Sequence, residues 1–135
     1  MQRRIDAEPD TVWSVLTDVE NWPSWTASVR SVQRRDAGPL RAGSAALVRQ
    51  PGLRPQVWRV TELAERACFT WQARGRGLTT TGYHLLATDG DAVLATIGIR
   101  QHGPLAGVVG ALFGARIRRF VTLEAEGLRR AAEAG

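Results

Sequence analysis

Six short runs rich in Val, Thr, Ile and Trp follow one another between Val29 and His102, and one long amphipathic segment closes the chain. Turn clusters at Gly38-Pro39, Pro51-Gly52, Arg74 to Gly77 and Asp89-Gly90-Asp91 separate the runs, which is the signature of successive antiparallel strands. The spacing predicts strands at 29–36, 44–50, 56–64, 67–74, 79–87 and 92–102, and a first strand at 2–6 makes seven. From Pro104 to Ala134, Val109, Phe113, Ile117, Phe120, Val121, Glu124 and Leu128 recur at spacings of three and four, the period of one helical face. A meander of that size cannot leave its apolar faces in water, and only this helix is long enough to cover them. The sheet is therefore expected to curl around it, giving an α+β fold.

Between the first strand and the meander, Pro9 to Asp18 reads as a helix with Pro in its opening turn and Val12, Val15 and Leu16 on one face. Asn21-Trp22-Pro23-Ser24-Trp25 reads as a turn and a second, very short helix. With 135 residues, no repeat and no linker, residues 1–135 are expected to form a single domain. The N-terminus meets charge at Arg3-Arg4, with no apolar stretch of the secretory kind, and no run approaches membrane-spanning length. A cytoplasmic protein is the expectation.

Strand phase picks out the residues that face inward. Phe69, Trp71 and Ala73 alternate with Thr70, Gln72 and Arg74, while Val93, Ala95, Ile97 and Ile99 alternate with Leu94, Thr96, Gly98 and Arg100. Trp58 and Val60 take the same face on the run before. Counting back through the Asp89-Gly90-Asp91 turn puts Gly82, His84 and Leu86 inward as well. His84 could then hydrogen-bond a carbonyl or act as a general base, or it could simply be satisfied by a backbone partner.

Charge and composition exclude several chemistries. The 18 basic residues are all Arg, so no side-chain amine exists to form a Schiff base. Arg3-Arg4, Arg34-Arg35, Arg118-Arg119 and Arg129-Arg130 are scattered pairs rather than one stripe, which argues against a nucleic-acid partner. Cys68 stands alone, and no His or Cys set has zinc-ligand spacing, so neither metal nor cofactor is expected. Membrane contact, through Leu105, Val108, Val109, Leu112 and Phe113, would be peripheral at most. Oligomeric state leaves no mark on the sequence.

Several local motifs converge on a family. Ile5-Asp6-Ala7-Glu8-Pro9-Asp10-Thr11-Val12-Trp13 with the later Trp22-Pro23-x-Trp25, Gly43 with Arg49-Gln50-Pro51, Trp58-Arg59-Val60-Thr61-Glu62-Leu63, Phe69-Thr70-Trp71 and Gly103-Pro104-Leu105 occur in order. In that order they resemble the SRPBCC superfamily (START/Bet v 1-like), in its polyketide cyclase/dehydrase and lipid-transport branch. The resemblance implies a helix-grip fold with a cavity between sheet and long helix, holding a small hydrophobic molecule such as a lipid, a polyketide-like compound or an aromatic metabolite. Transport or sequestration would follow from binding alone; a cyclase or dehydratase would use a pocket His or Arg. The aromatase/cyclase branch carries an Arg where Leu63 stands here, which argues against the same cyclisation chemistry.

On that fold the expected lining is Trp25, Leu47, Trp58, Val60, Phe69, Trp71, His84, Ile97, Ile99, Val109, Leu112 and Phe113, with His84, Arg49 and Arg116 as the candidates for chemistry. Trp13 and Trp22 read as core. Glu124 interrupts the helix stripe and is expected to pair with a nearby Arg. The loops at 38–43, 51–56 and 75–78 are expected to shape the mouth.

Overall fold

A computed structural model describes residues 1–135. One antiparallel sheet contains β1 (Gln2–Ile5), β2 (Ser31–Arg34), β3 (Ala45–Arg49), β4 (Gln56–Ala64), β5 (Cys68–Gly75), β6 (Leu78–Asp89) and β7 (Ala92–His102), in the spatial order β1-β7-β6-β5-β4-β3-β2. Helix α1 (Pro9–Thr17) and a short 3-10 helix (Val19–Ser24) lie between β1 and β2, and α2 (Ala106–Ala134) ends the chain. This is the helix-grip arrangement. β6 and α2 differ from their expected bounds by two residues, and β2 is four residues shorter than expected, because only Ser31–Arg34 ladder with β3.

The core lies where α1, the 3-10 helix and the last third of α2 meet the inner face of the sheet. Ile5, Val12, Leu16, Trp22, Phe69 and Leu128 are fully or almost fully buried there. Trp22 is fixed by its indole Nε1–H donating to the Leu16 carbonyl at 2.9 Å, and its ring meets Trp25, Phe69 and Trp71 at centroid separations of 5.4, 6.3 and 5.3 Å.

Helix α2 is held unevenly. Its buried residues are Ala125, Gly127, Leu128 and Ala132, all in the C-terminal third. Gly127 lies against the backbone and ring of Trp25, leaving no room for a Cβ. Arg3 pairs with Glu126, and the Asp6 N–H donates to Glu133 at 2.9 Å, tying this third to β1 and its end. From Ala106 to Glu124 no residue is fully buried, so the first two thirds overhang the sheet. Gly107 and Gly110 have nothing within 4 Å of the position a Cβ would take.

Antiparallel connectivity sends alternate turns to opposite ends of the sheet. The β3–β4 and β5–β6 turns and the start of α2 share one end; the β2–β3, β4–β5 and β6–β7 turns share the other. The loop at 38–43 is therefore at the closed end and does not shape the mouth. The loops at 51–56 and 75–78 do lie at the open end, where Arg116 Nη1 donates to the Gly52 carbonyl at 3.3 Å and the Leu105 N–H donates to the Gly77 carbonyl at 2.8 Å.

Candidate functional site

The overhang of α2 leaves a cavity of about 200 Å3 against the inner face of β3 to β7. Its sheet wall is aromatic and aliphatic: Trp58, Trp71 and Ile99 stand beside Val48 and Leu78. The two indoles meet at 5.5 Å above Gly82, where an added Cβ would come within 3.2 Å of Trp71 and 3.5 Å of Trp58, so glycine keeps this floor low. The helix wall is Val109, Phe113, Ile117, Phe120 and Val121. Gln50, Gln56, Thr80 and Gln101 supply neutral polar groups, and Arg54 and Arg116 stand at the mouth.

His84 and Glu124 form the one ionisable pair in the lining. His84 Nε2 lies 2.6 Å from Glu124 Oε1, and the side chains are 3% and 13% exposed. His84 Nδ1 lies 2.8 Å from the carbonyl of Phe69. A carbonyl can only accept, so Nδ1 carries a hydrogen, and the atom shared with Glu124 is Nε2. A contact of 2.6 Å between Nε2 and Oε1 requires a hydrogen between them. Phe69 stacks on the imidazole at 4.9 Å, and Trp22 meets it edge-on at 5.5 Å, so its orientation is fixed on two faces and at both nitrogens. Glu124 thus pairs with His84 rather than with an Arg.

The lining also holds one unpaired donor. The indole Nε1–H of Trp58 is buried and has no hydrogen-bond partner in the protein. A buried N–H left unpaired costs about 1–3 kcal/mol, and an acceptor on a bound molecule would recover it.

Of the residues expected to line the cavity, Trp58, Trp71, His84, Ile99, Val109 and Phe113 do, as does Arg116. Val60, Phe69 and Ile97 face inward but belong to the packed core, because the last third of α2 and Trp22 fill the space above them. Trp25 is excluded for the same reason, held against Gly127. Leu47 faces outward: Ala46 pairs with Trp58 across β3–β4, so Ala46 and Val48 take the inner face and Leu47 sits opposite Val57. Arg49 shares the outer phase of Leu47 and is exposed, which removes it from the site. Leu112 lies on the outer side of α2. Leu63 follows a register shift between Val60 and Glu62 and packs near Trp13 and Leu40, away from the cavity.

Sequence reasoning passed over Trp22 as a lining residue, and also Gln50, Gln56, Thr80, Gln101 and Phe120. The polar four look like solvent-facing strand positions in a sequence, since nothing local reveals that the helix stands off the sheet above them.

No curated protein matches the sequence. Among solved structures, the hypothetical protein jhp0584 from Helicobacter pylori is similar with a TM-score of 0.80 at 16% identity, over 98% of this chain and 85% of that one. The ginseng major latex-like protein 151 from Panax ginseng is similar with a TM-score of 0.72 at 16% identity, over 96% and 94%. The di-domain ARO/CYC StfQ from the steffimycin biosynthetic pathway gives 0.69 at 12% identity, with 98% of this chain matching 44% of that one. At these identities the likeness is one of fold. Residues 1–133 match the family described as polyketide cyclase/dehydrase and lipid transport, and the chain belongs to that family.

Proposed function

We propose that this protein binds a small hydrophobic molecule, such as a lipid, a polyketide-like compound or an aromatic metabolite, in the cavity between its sheet and α2. The observation that carries this reading is the cavity itself: aromatic and aliphatic walls around a small set of converging polar groups. A dry cavity of about 150 Å3 can take benzene, so 200 Å3 suits a somewhat larger ring system or a short acyl segment, with the rest of the ligand passing the mouth. Each 100 Å2 of apolar ligand surface removed from water contributes about 2.5 kcal/mol before the cost of immobilisation. The Trp58 N–H and the His84–Glu124 pair would orient a carbonyl or hydroxyl on that ligand.

Native mass spectrometry of the purified protein, followed by organic extraction, tests this. A co-purifying apolar species that is lost in Ile117→Trp, where the larger ring fills the cavity, is the expected result. Bare protein with no thermal shift from a panel of lipids and aromatic polyketides would sink the reading.

A catalytic reading has one specific observation behind it, the 2.6 Å contact between His84 Nε2 and Glu124 Oε1 on the cavity wall. In a cyclase- or dehydratase-like reaction the pair would deliver or accept a proton at the bound carbonyl compound. Glu124→Gln distinguishes the two: unchanged ligand affinity with loss of product formation supports catalysis, and no turnover of any bound compound by the parent protein leaves binding alone.

A further inference from the structure

The six Arg residues that make ion pairs, Arg3, Arg4, Arg34, Arg41, Arg66 and Arg129, lie on β1, at the closed end or on the last third of α2. Arg35, Arg59 and Arg130 elsewhere are unpaired as well, but at the mouth end the Arg residues have no carboxylate partner at all. Arg54 and Arg76 on the turns and Arg116, Arg118 and Arg119 on α2 are exposed and take part in no ion pair. The sequence shows why: no Asp or Glu occurs between Asp36 and Glu62, between Glu65 and Asp89, or between Asp91 and Glu124. The chain thus separates charge along its length, with uncompensated positive charge gathered around the cavity mouth.

Apolar surface gathers in the same place. Leu105, Val108, Leu112 and Phe113 are 47%, 56%, 72% and 38% exposed, four of the seven large apolar side chains exposed anywhere on the molecule. Val108, Leu112, Ala115 and Arg119 follow at spacings of four, three and four, so the outward stripe of the overhanging helix runs from apolar to cationic. Contiguous exposed apolar surface marks an interaction site, and an apolar stripe flanked by Arg with no carboxylate matches the depth profile of an anionic bilayer. An acidic protein groove would explain the Arg residues but not the exposure of Leu112, the highest among the large apolar side chains.

We propose that the mouth end docks on an anionic lipid bilayer, with Leu105, Val108 and Leu112 entering the interface and the surrounding Arg side chains on lipid phosphates. This does not depend on the identity of the cavity ligand.

Flotation with vesicles of phosphatidylcholine alone, and of equal parts phosphatidylcholine and phosphatidylglycerol, tests the proposal. The full chain should float with the anionic vesicles only and leave them at high salt. Arg118→Gln with Arg119→Gln should lower partitioning about twenty-five-fold, on the basis of roughly a factor of five per basic residue at such a surface. Leu112→Ser with Val108→Ser should lower it at least about ten-fold, as two apolar anchors are lost. All four side chains are exposed, and unchanged near-ultraviolet circular dichroism establishes that each variant is folded. Absence of flotation, equal binding to both vesicles, or wild-type binding by the folded Leu112→Ser/Val108→Ser variant overturns the proposal. So does release by monomeric short-chain phosphatidylglycerol at concentrations below its micelle threshold, since that would place recognition on a single lipid rather than on the bilayer.

Discussion

Glu124 on α2 and His84 on β6 meet at 2.6 Å, and with the Arg116 contact to Gly52 this is one of two side-chain hydrogen bonds between the overhanging part of the helix and the sheet side. The pair therefore both closes the inner end of the cavity and tethers the helix above it.

If that is its role, the two replacements of Glu124 should differ. Glu124→Gln keeps a donor facing Nε2 of a neutral imidazole and should change stability by less than about 1 kcal/mol, whereas Glu124→Ala strands a buried nitrogen and should cost about 1–3 kcal/mol. Nitrogen-15 spectra of the imidazole should show a hydrogen on Nδ1 in wild type and in Glu124→Gln. A ring protonated at Nε2 alone would contradict the assigned geometry.

The two ends of α2 should answer oppositely to the same substitution. Gly110→Ala meets open space and should add about 0.5–1 kcal/mol, the ordinary helical preference for alanine. Gly127→Ala drives a methyl into the backbone of Trp25 and should cost about 1–3 kcal/mol despite that preference. Urea denaturation of both variants reads this directly, and equal effects would mean that the helix is not anchored at one end.

Acid should weaken the closed end through Asp36. Its carboxyl is held below the usual carboxylate range, first by the Ser44 hydroxyl donating at 2.9 Å and then by Arg34 and Arg41, against an opposing effect of burial. Because the folded value is the lower one, this contribution is complete above the ordinary carboxylate range and disappears as pH falls through the depressed value. Ser44→Ala should move the Asp36 titration in carboxyl carbon spectra to higher pH, and acid unfolding with it. An unmoved titration would assign the shift to the arginines instead.

Cys68 should behave as inert filler in the folded protein. Burial pushes its thiol up, and its hydrogen bond to Glu62 adds to the effect, so little thiolate exists near neutral pH. Labelling by a charged disulfide reagent should be slow in buffer and immediate in urea. Rapid stoichiometric labelling in buffer would show that the turn end of the β4–β5 hairpin opens.

The sheet and long helix were legible in sequence because β5 and β7 keep a clean period of two and α2 keeps a period near 3.6. The inward placement of His84 followed from counting through one turn. Failure came where the period was silent or where depth mattered. Ala45-Ala46-Leu47-Val48 is apolar on both faces, so its phase could be set only by the Trp58 register across the ladder. Phe69 and Ile99 are equally inward by alternation, yet one is core and the other cavity, and what separates them is the close approach of α2 at Gly127. That approach depends on a contact between residues about a hundred positions apart, which no local pattern records. The partner of Glu124 was missed for the same reason.

Since α2 buries no residue before Ala125, the overhang can drift in sequence, fray or swing without taxing the global folding equilibrium. Amide exchange there should be governed by local opening, while the last third exchanges only with whole-molecule unfolding. A protein built this way can acquire a new ligand by changing one helical segment, since the helix wall of the cavity is separate from the last third of α2 that anchors it, while Trp58 and Trp71 of the sheet wall stay part of the core.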